Sequence, residues 1–476
     1  MQQFNPVDAA LLYMEAPTTP FHVSFVNIYD PSTCPNGPPS FEDITEAVRK
    51  CLPGAPSFRR KILRVPYNLD HPYWIEDENF DLDFHMRHLA LPKPGNWRQF
   101  REQVSRLISR PLDLSRSPWE MTIVDGLDAI EGFPPGCFCT VLKIHHCAID
   151  GKAGVGILSM LSQDSPDKVP ETLEDDWEPE EVPSKSTLLG KSWLKSIKRP
   201  TKMTKYLVSN SSALVKAAVD DMKMDKEEKE DEEDIEVPFT LLNGRVSAHR
   251  IYDEVNWSLD EVKAVRKAVE GATVNDVCLV VVAECMRRYL LAHDALPEQS
   301  LVTMVPIAIR TLEEASAGGN QLSMTRISLR TDIADPIERL AAINAETRKK
   351  KAIQEGVMMK TILDAVYNLP GNLVGLVGRA VPLLSASMDN KSGACNTMVT
   401  NVPGPSHPLY FLGAKLVDMA GLPPLMNGGG VLHAITSFEN RIIFSFTACK
   451  ELLHDADFYR QCLHDSIVDV VASADK

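Results

Sequence analysis

Cys137-Phe138-Cys139-Thr140-Val141-Leu142-Lys143-Ile144 runs directly into His145-His146-Cys147-Ala148-Ile149-Asp150-Gly151. The first eight residues read as a strand, and the seven that follow read as a functional turn at its end. Adjacent side chains on extended backbone point to opposite faces. Of the two histidines, one therefore faces a given cleft while the other holds the backbone or its neighbour's ring. His146 is the expected base, with His145 orienting or packing. A neutral imidazole titrates near neutrality and suits removal of a proton from a hydroxyl or amine as it attacks a thioester carbonyl. A His-His pair at a strand end is often no more than two packed rings, but Asp150-Gly151 follows closely here. A carboxylate there can fix a cationic partner or the loop, and glycine lets the chain turn with positive φ beside substrate. A metal site is not expected, because no third ligand lies near and adjacent strand histidines diverge.

Cys147 places a thiol next to His146, but the same divergence makes a Cys147–His146 dyad geometrically poor. No Gly-x-Ser-x-Gly elbow occurs in the chain, so a serine acyl-enzyme has no support. Direct transfer between two bound substrates is the expected course.

Other motifs follow in order along the chain. Asn5-Pro6-Val7-Asp8 opens a short helix closing at Glu15, and Pro20-Phe21-His22-Val23 follows. Then come Phe58-Arg59-Arg60-Lys61, Trp74-Ile75, Phe80 to His85, Pro111-Leu112-Asp113 and Pro118-Trp119-Glu120. The second half holds Leu242-Asn243-Gly244-Arg245, Thr273-Val274-Asn275-Asp276-Val277, Val305 to Arg310, Gly319-Asn320-Gln321 and Asn401-Val402-Pro403-Gly404-Pro405. In this ordered set the sequence resembles the bacterial wax ester synthase/acyl-CoA:diacylglycerol acyltransferase (WS/DGAT) family, within the CoA-dependent acyltransferases that carry His-His-x-x-x-Asp-Gly. The resemblance runs nearly end to end. Two departures, Ser117-Pro118-Trp119 for the family's Pro-Leu-Trp and Leu432-His433 for its Leu-Asn, fall at positions expected to shape the acceptor pocket.

The resemblance implies an α/β (α+β) fold of two chloramphenicol-acetyltransferase-like domains, each a mixed sheet with helices, joined by a long linker. It implies an acyl-CoA-dependent O-acyltransferase that acts on diacylglycerol, a long-chain alcohol, or both, through a tunnel between the domains. His146 would be the general base, with His145, Asp150 and Gly151 supporting the motif. Asn275 would donate to the oxyanion or position substrate, with Glu15 a polar neighbour and Arg310 a partner for Asp150 or substrate. Acyl-CoA enters as substrate, and no cofactor is expected. The alternatives are a different hydroxyl acceptor, a carrier-protein thioester donor, or a non-catalytic lipid-binding relative.

A chain of 476 residues, 44% hydrophobic, is too long for one ordinary core. The expected division is a first domain over 1–165, a linker over 166–237 and a second domain over 238–476. The net charge of −15 equals that of two acidic segments within the linker. Pro166 to Pro183 carries eight acidic residues against one lysine, and Asp220 to Glu236 carries eleven against three lysines. The remainder is formally neutral, which argues against a nucleic-acid partner. Between the acidic blocks, Lys185 to Arg199 projects as an amphipathic helix. Leu189, Trp193, Leu194 and Ile197 fall within an arc of about 140°, and Lys191, Lys195 and Lys198 lie opposite. That pattern suits the surface of an anionic membrane or lipid droplet, or packing on the protein itself.

Ten scattered cysteines give no disulfide or metal pattern, and no signal peptide is visible, so a cytoplasmic location is the default. The apolar stretch Leu369 to Ala386 is broken by Pro370, Gly371, Arg379 and Pro382 and reads as a packed, interrupted helix. Periodicity predicts helices at Pro6–Glu15, Phe41–Cys51, Trp97–Arg110, Ser258–Val269 and Asn275–Leu291. It predicts strands at Val23–Tyr29, Met121–Gly126, Cys137–Ile144, Leu301–Pro306, Ser323–Leu329, Thr397–Asn401 and Arg441–Cys449.

Overall fold

The computed structural model describes residues 1–149, 159–168, 170, 172–175, 177–194, 236–308, 322–354 and 393–474. Strands of the first half are β1 (Gln2–Gln3), β2 (His22–Asp30), β3 (Arg60–Leu63), β4 (Tyr73–Glu76), β5 (Met86–Ala90), β6 (Trp119–Asp125) and β7 (Phe138–His145). Those of the second half are β8 (Arg250–Ser258), β9 (Val302–Ala308), β10 (Leu322–Ser328), β11 (Thr397–Pro403), β12 (Tyr410–Phe411), β13 (Ala414–Leu422), β14 (Val431–Phe438) and β15 (Arg441–Cys449). The helices are α1 (Pro6–Tyr13), α2 (Phe41–Cys51), α3 (Leu82–His85), α4 (Trp97–Ile108), α5 (Leu259–Arg266), α6 (Val274–Ala292), α7 (Pro336–Gln354) and α8 (Ala456–Ala474). Two six-stranded mixed sheets result, in the orders β12-β13-β2-β7-β6-β5 and β10-β9-β11-β14-β15-β8.

All eight residues of β7 are buried. A central strand covered on both faces needs apolar residues at consecutive positions, which is why its sequence is a run rather than an alternation. One face packs Cys139 and Val141 against Phe100, Val104, Leu107 and Ile108 of α4. The other packs Phe138, Leu142 and Ile144 with Ile44 and Val48 of α2. Both helices start at capping boxes, Ser40 with Asp43 and Asn96 with Gln99. At the far end of α4 the sheet itself satisfies the free carbonyls. Lys143 Nζ donates to Leu107 O at 3.1 Å and Arg110 O at 2.8 Å while pairing with Glu120 at 2.8 Å, and His22 Nε2 donates to Ile108 O at 3.0 Å. A lysine inside a buried strand is thereby paired and hydrogen-bonded, and its charge complements the helix C-terminus.

The sheets do not follow the linear division at residue 238. β13 lies deep in the second half yet pairs antiparallel with β2, Ala420 opposite Val26 and Leu422 opposite Ser24, and so extends the first sheet. Its burial alternates strictly, as an amphipathic strand requires. The sequence reading did not pick it out, because its partner is nearly four hundred residues away and nothing local announces the pairing. Its outer edge is met by the second sheet: Ser445 Oγ donates to Gly421 O at 2.9 Å, and Arg441 donates to Val417 O. Conversely, α4 of the first domain covers the open edge of β8. Ser105 and Ser109 accept the main-chain N–H groups of Tyr252 and Arg250 at 3.0 and 2.9 Å, and Trp97 and Arg101 bind Asp253. An exposed strand edge is an aggregation hazard, and each domain here protects an edge of the other.

The second sheet is covered by α6 and α8, whose buried faces form the largest core with Val399, Ile435, Phe444 and Phe446. Asp276 of the Asn-Asp motif caps α6 in a box with Thr273 and accepts from Asn344 and Thr347 of α7, both at 2.9 Å. Asn243 of Leu242-Asn243-Gly244-Arg245 donates to Asn396 O and Gly428 O and tethers the entry of the chain into this domain. His433, expected near the pocket, is enclosed in the same core: Nδ1 meets Thr397 Oγ1 at 3.0 Å and Nε2 meets Tyr459 OH at 2.9 Å. Burial brings its imidazole down to about 3, so it is neutral wherever the protein is folded at ordinary pH. The departure from Leu-Asn is therefore a core substitution of one hydrogen-bonding side chain for another.

Asn401-Val402-Pro403-Gly404-Pro405 ends β11, which runs parallel to β14 until Pro403 lies opposite Ser437. A Cβ at Gly404 would stand 2.2 Å from Ser437 O, so the motif's glycine is demanded by backbone contact. Gly404→Ala is expected to lower stability by about 1–3 kcal/mol, read as a fall in thermal midpoint at unchanged unfolding slope. An unchanged midpoint would show that the two strands separate at no cost.

Candidate active site

β7 delivers the histidine doublet to its end, and the strand stops there for a visible reason. His145 keeps extended backbone (φ −61°, ψ 136°), whereas His146 opens a single 3-10 turn over His146–Ala148. His145 is the last residue of β7 and His146 the first of the turn, and each main-chain N–H is held by a different neighbouring segment. His145 N–H donates to Pro118 O and His146 N–H to Phe21 O, both at 2.9 Å. Pro118-Trp119 and Pro20-Phe21-His22 thus act as the two backbone clamps of the turn. Trp119 is fixed in turn by its indole N–H to Phe58 O at 2.8 Å and by stacking on His85.

His145 is fully buried and both of its nitrogens are committed. The main-chain N–H of Cys147 points at Nδ1 from 3.1 Å, so that nitrogen carries the lone pair. The ring proton is therefore on Nε2 and is donated to Glu15 Oε2 at 2.6 Å. Glu15, expected beside Asn275, instead closes a bond from the end of the α1 segment to the end of β7. The link could not be read from sequence, because the partners are 130 positions apart.

His146 differs on every count. Its ring is half-buried, tilted against Phe21 at 5.8 Å between centroids, and Nδ1 has no hydrogen-bond partner among the described residues. Burial, and secondarily the neighbouring His145, holds its imidazole below the usual histidine range, while its own main chain opposes the shift. An imidazole that is neutral at neutral pH results, with Nδ1 unpaired among the described residues.

Cys147 does not pair with His146. Its Sγ lies 2.9 Å from His145 Nδ1, and burial, with Asp8 and Glu15 adding to it, pushes the thiol well above its ordinary value. The thiolate that nucleophilic chemistry needs is disfavoured there. A cavity of about 260 Å³ lies against the turn, with Asn5, Arg60, Trp74, Cys147 and Ala148 in its wall. It is smaller than the usual range for ligand pockets and does not suffice for a long acyl chain.

Asn275 sits one residue inside α6, where Thr273 and not Asn275 is the cap, and its Oδ1 is 3.5 Å from Asn401 Nδ2. Two sequence motifs, Asn-Asp and Asn-Val-Pro-Gly-Pro, meet at that pair. Asp150, Gly151 and Arg310 lie outside the described residues, as does Leu369 to Ala386.

A pair of mixed six-stranded sheets, with a histidine turn closing a central strand of the first, is the architecture of CoA-dependent acyltransferases and condensation domains. The wax ester synthase/diacylglycerol acyltransferase from Marinobacter aquaeolei superimposes with a TM-score of 0.69 at 24% identity, over the whole of both chains. The first condensation domain of the calcium-dependent antibiotic synthetase gives 0.55 at 12% identity, over all of this chain and 96% of its own. Residues 4–278 match the wax ester synthase/diacylglycerol acyltransferase catalytic domain and residues 318–470 the WS/DGAT C-terminal domain, and the chain belongs to this family. A putative diacylglycerol O-acyltransferase of Mycobacterium tuberculosis is 33% identical over 88% of this chain and 86% of its own length. The O-acyltransferase WSD of Acinetobacter baylyi is 29% identical over 95% and 93%. The protein is an O-acyltransferase by this kinship.

The committed, protonated thiol yields a direct test. Cys147→Ala should retain turnover within about threefold of wild type, and wild-type protein given acyl-CoA alone should show no mass increment on the Cys147 peptide. A stoichiometric acyl adduct there would replace direct transfer with a covalent route.

Proposed function

We propose that the protein transfers a long-chain acyl group from acyl-CoA to the hydroxyl of diacylglycerol, a long-chain alcohol, or both, with His146 as general base. The observation that carries this reading is the division of labour in the doublet. Both nitrogens of His145 are spent on Cys147 and Glu15, while burial favours the neutral form of His146 and its Nδ1 is unpaired among the described residues.

Neutral His146 takes the acceptor's hydroxyl proton as the oxygen attacks the thioester carbonyl. The tetrahedral oxyanion collapses with cleavage of the C–S bond, and the imidazolium returns its proton to the CoA thiolate. Ester and free CoA leave, and no group on the enzyme is consumed. Asn275, with Asn401 beside it, is the proposed amide for orienting substrate or the oxyanion; Asp150 and Gly151 are the proposed support of the motif, and Arg310 the proposed partner of Asp150 or substrate. The family membership and the O-acyltransferase names of the relatives support the acceptor class.

The fatty product gives reason for contact with a lipid surface from the cytoplasmic side. No helix among the described residues is long and apolar enough to cross a membrane. Residues 185–194 are helical, and the face packed on the protein is Leu188 with Ser192, while Trp193 and Leu194 are exposed at 67% and 55%. The apolar arc expected from the sequence is thus divided. Outward-facing Trp193 and Leu194, with Lys191 nearby, are the proposed contact with anionic lipid.

His146→Ala should lower turnover by about 10²–10⁴-fold with normal thermal unfolding. CoA release from palmitoyl-CoA would be followed with diacylglycerol, hexadecanol or water as acceptor, and a loss of less than tenfold would remove His146 from the role. Because the base must be neutral and burial lowers its affinity for protons, activity should persist as pH falls to 6.5. The acid limb of kcat/KM should lie below that value. For the lipid surface, Lys191→Glu with Trp193→Ser should abolish flotation with phosphatidylserine vesicles at low salt and leave detergent-dispersed turnover intact. Unchanged flotation would exclude this helix.

A further inference from the structure

Arg250 opens β8 at the edge of the second sheet and is buried, yet its side chain reaches into the first domain. Nη2 donates to Thr18 O at 2.9 Å, Nη1 donates to Ser247 O, and the main-chain N–H donates to Ser109 Oγ at 2.9 Å. Burial lowers the guanidinium to about 10, so it remains positive at neutral pH. A buried cation whose side-chain donors rest on carbonyls is a poor device for stability alone.

What Arg250 grips gives it a purpose. Thr18 lies in the turn closed by the Ala16–Thr19 bridge, with Thr19 N–H on Ala16 O at 2.9 Å. Immediately before that turn, Glu15 binds His145, and just after it, Phe21 O takes the N–H of His146 while its ring lies against the imidazole. The seven residues from Glu15 to Phe21 thus hold both histidines by their ends and are anchored at Thr18, between those ends, from the other domain.

We propose that Arg250 is a positioning residue for the reaction: its bond to Thr18 O fixes the Glu15–Phe21 segment, and through it the setting of His146, from the second domain. This rests on the role of His146 proposed above. Losing the anchor lets the segment relax, admits water beside the ring and returns its proton affinity toward the ordinary value of 6.5. A residue that served folding alone would not change that affinity.

The full-length protein is compared with Arg250→Met, Arg250→Lys and Arg250→Gln. In the first, kcat should fall about 10- to 100-fold with KM for acyl-CoA within about threefold. The acid limb of kcat/KM should move up toward 6.5, and lysine, which keeps a charged donor, should restore part of the loss. In parallel, carbethoxylation of His146 by diethyl pyrocarbonate, mapped by peptide mass, gives the pH midpoint of the ring without turnover. That midpoint should rise in Arg250→Met. If the methionine variant does not fold, Arg250→Gln, which keeps an N–H donor without charge, decides the same comparison. Unchanged kcat, or reduced kcat with an unmoved acid limb and unmoved labelling midpoint, overturns the proposal. Wild-type protein inactive toward every acceptor would refute the assigned reaction, while the labelling midpoint would still judge Arg250.

Discussion

The bond from Glu15 to His145 is the contact on which the site depends. It takes the ring that strand geometry buries and fixes its tautomer, because Nδ1 is already occupied by the N–H of Cys147. With His145 spent in this way, the end of β7 cannot rotate or slide. His146 enters a short 3-10 turn whose direction is set by Phe21 and Pro118. One histidine serves as scaffold, and the next keeps Nδ1 unpaired among the described residues. Burial favours the neutral form of that imidazole, and keeping it buried requires a rigid surround.

That surround comes from both domains. β13 supplies an edge to the first sheet, α4 shields an edge of the second, and Arg441 and Ser445 close on β13 from below. Exchanges of this kind make the domain junction a set of directional hydrogen bonds with apolar packing around them. Such a junction resists the sliding that a purely apolar interface would permit, which suits the proposed reaction, in which two substrates would meet at one nitrogen.

Much of this was legible in the chain. Phe41–Cys51 was read to the residue, because Ser40 and Asp43 form a capping box and the apolar positions repeat at helical spacing. β7 was legible as a mostly apolar run, interrupted by Thr140 and Lys143, that ends at the histidine doublet. What escaped was partly local, the short strands β1, β3, β4, β5 and β12 and the helices α3, α7 and α8, and partly nonlocal. β8, β13 and β14 of the large sheets also went unread, and β13 carries a clear alternation whose meaning depends on β2. The bond of Glu15 to His145 and the buried partners of His433, Thr397 and Tyr459, also went unread, since a sequence shows that a polar residue is present but not which side of a sheet it faces. The 185–194 helix was recognised, but its packed face, Leu188 with Ser192, is rotated from the apolar arc, because the protein surface beneath it selects the face that docks.

The late arrival of β13 has a consequence for how the molecule is made. During synthesis the first four hundred residues emerge before the strand that completes the first sheet, leaving β2 with an open edge for many seconds at ordinary elongation rates. Over that interval the nascent chain presents main-chain donors and acceptors flanked by Phe25, Val26 and Ile28, a surface ready to pair with any extended neighbour. The two acidic segments of the linker, already emerged by then, add like charge to each nascent chain and disfavour the approach of a second copy. Its composition thus acts during birth as well as in the finished enzyme.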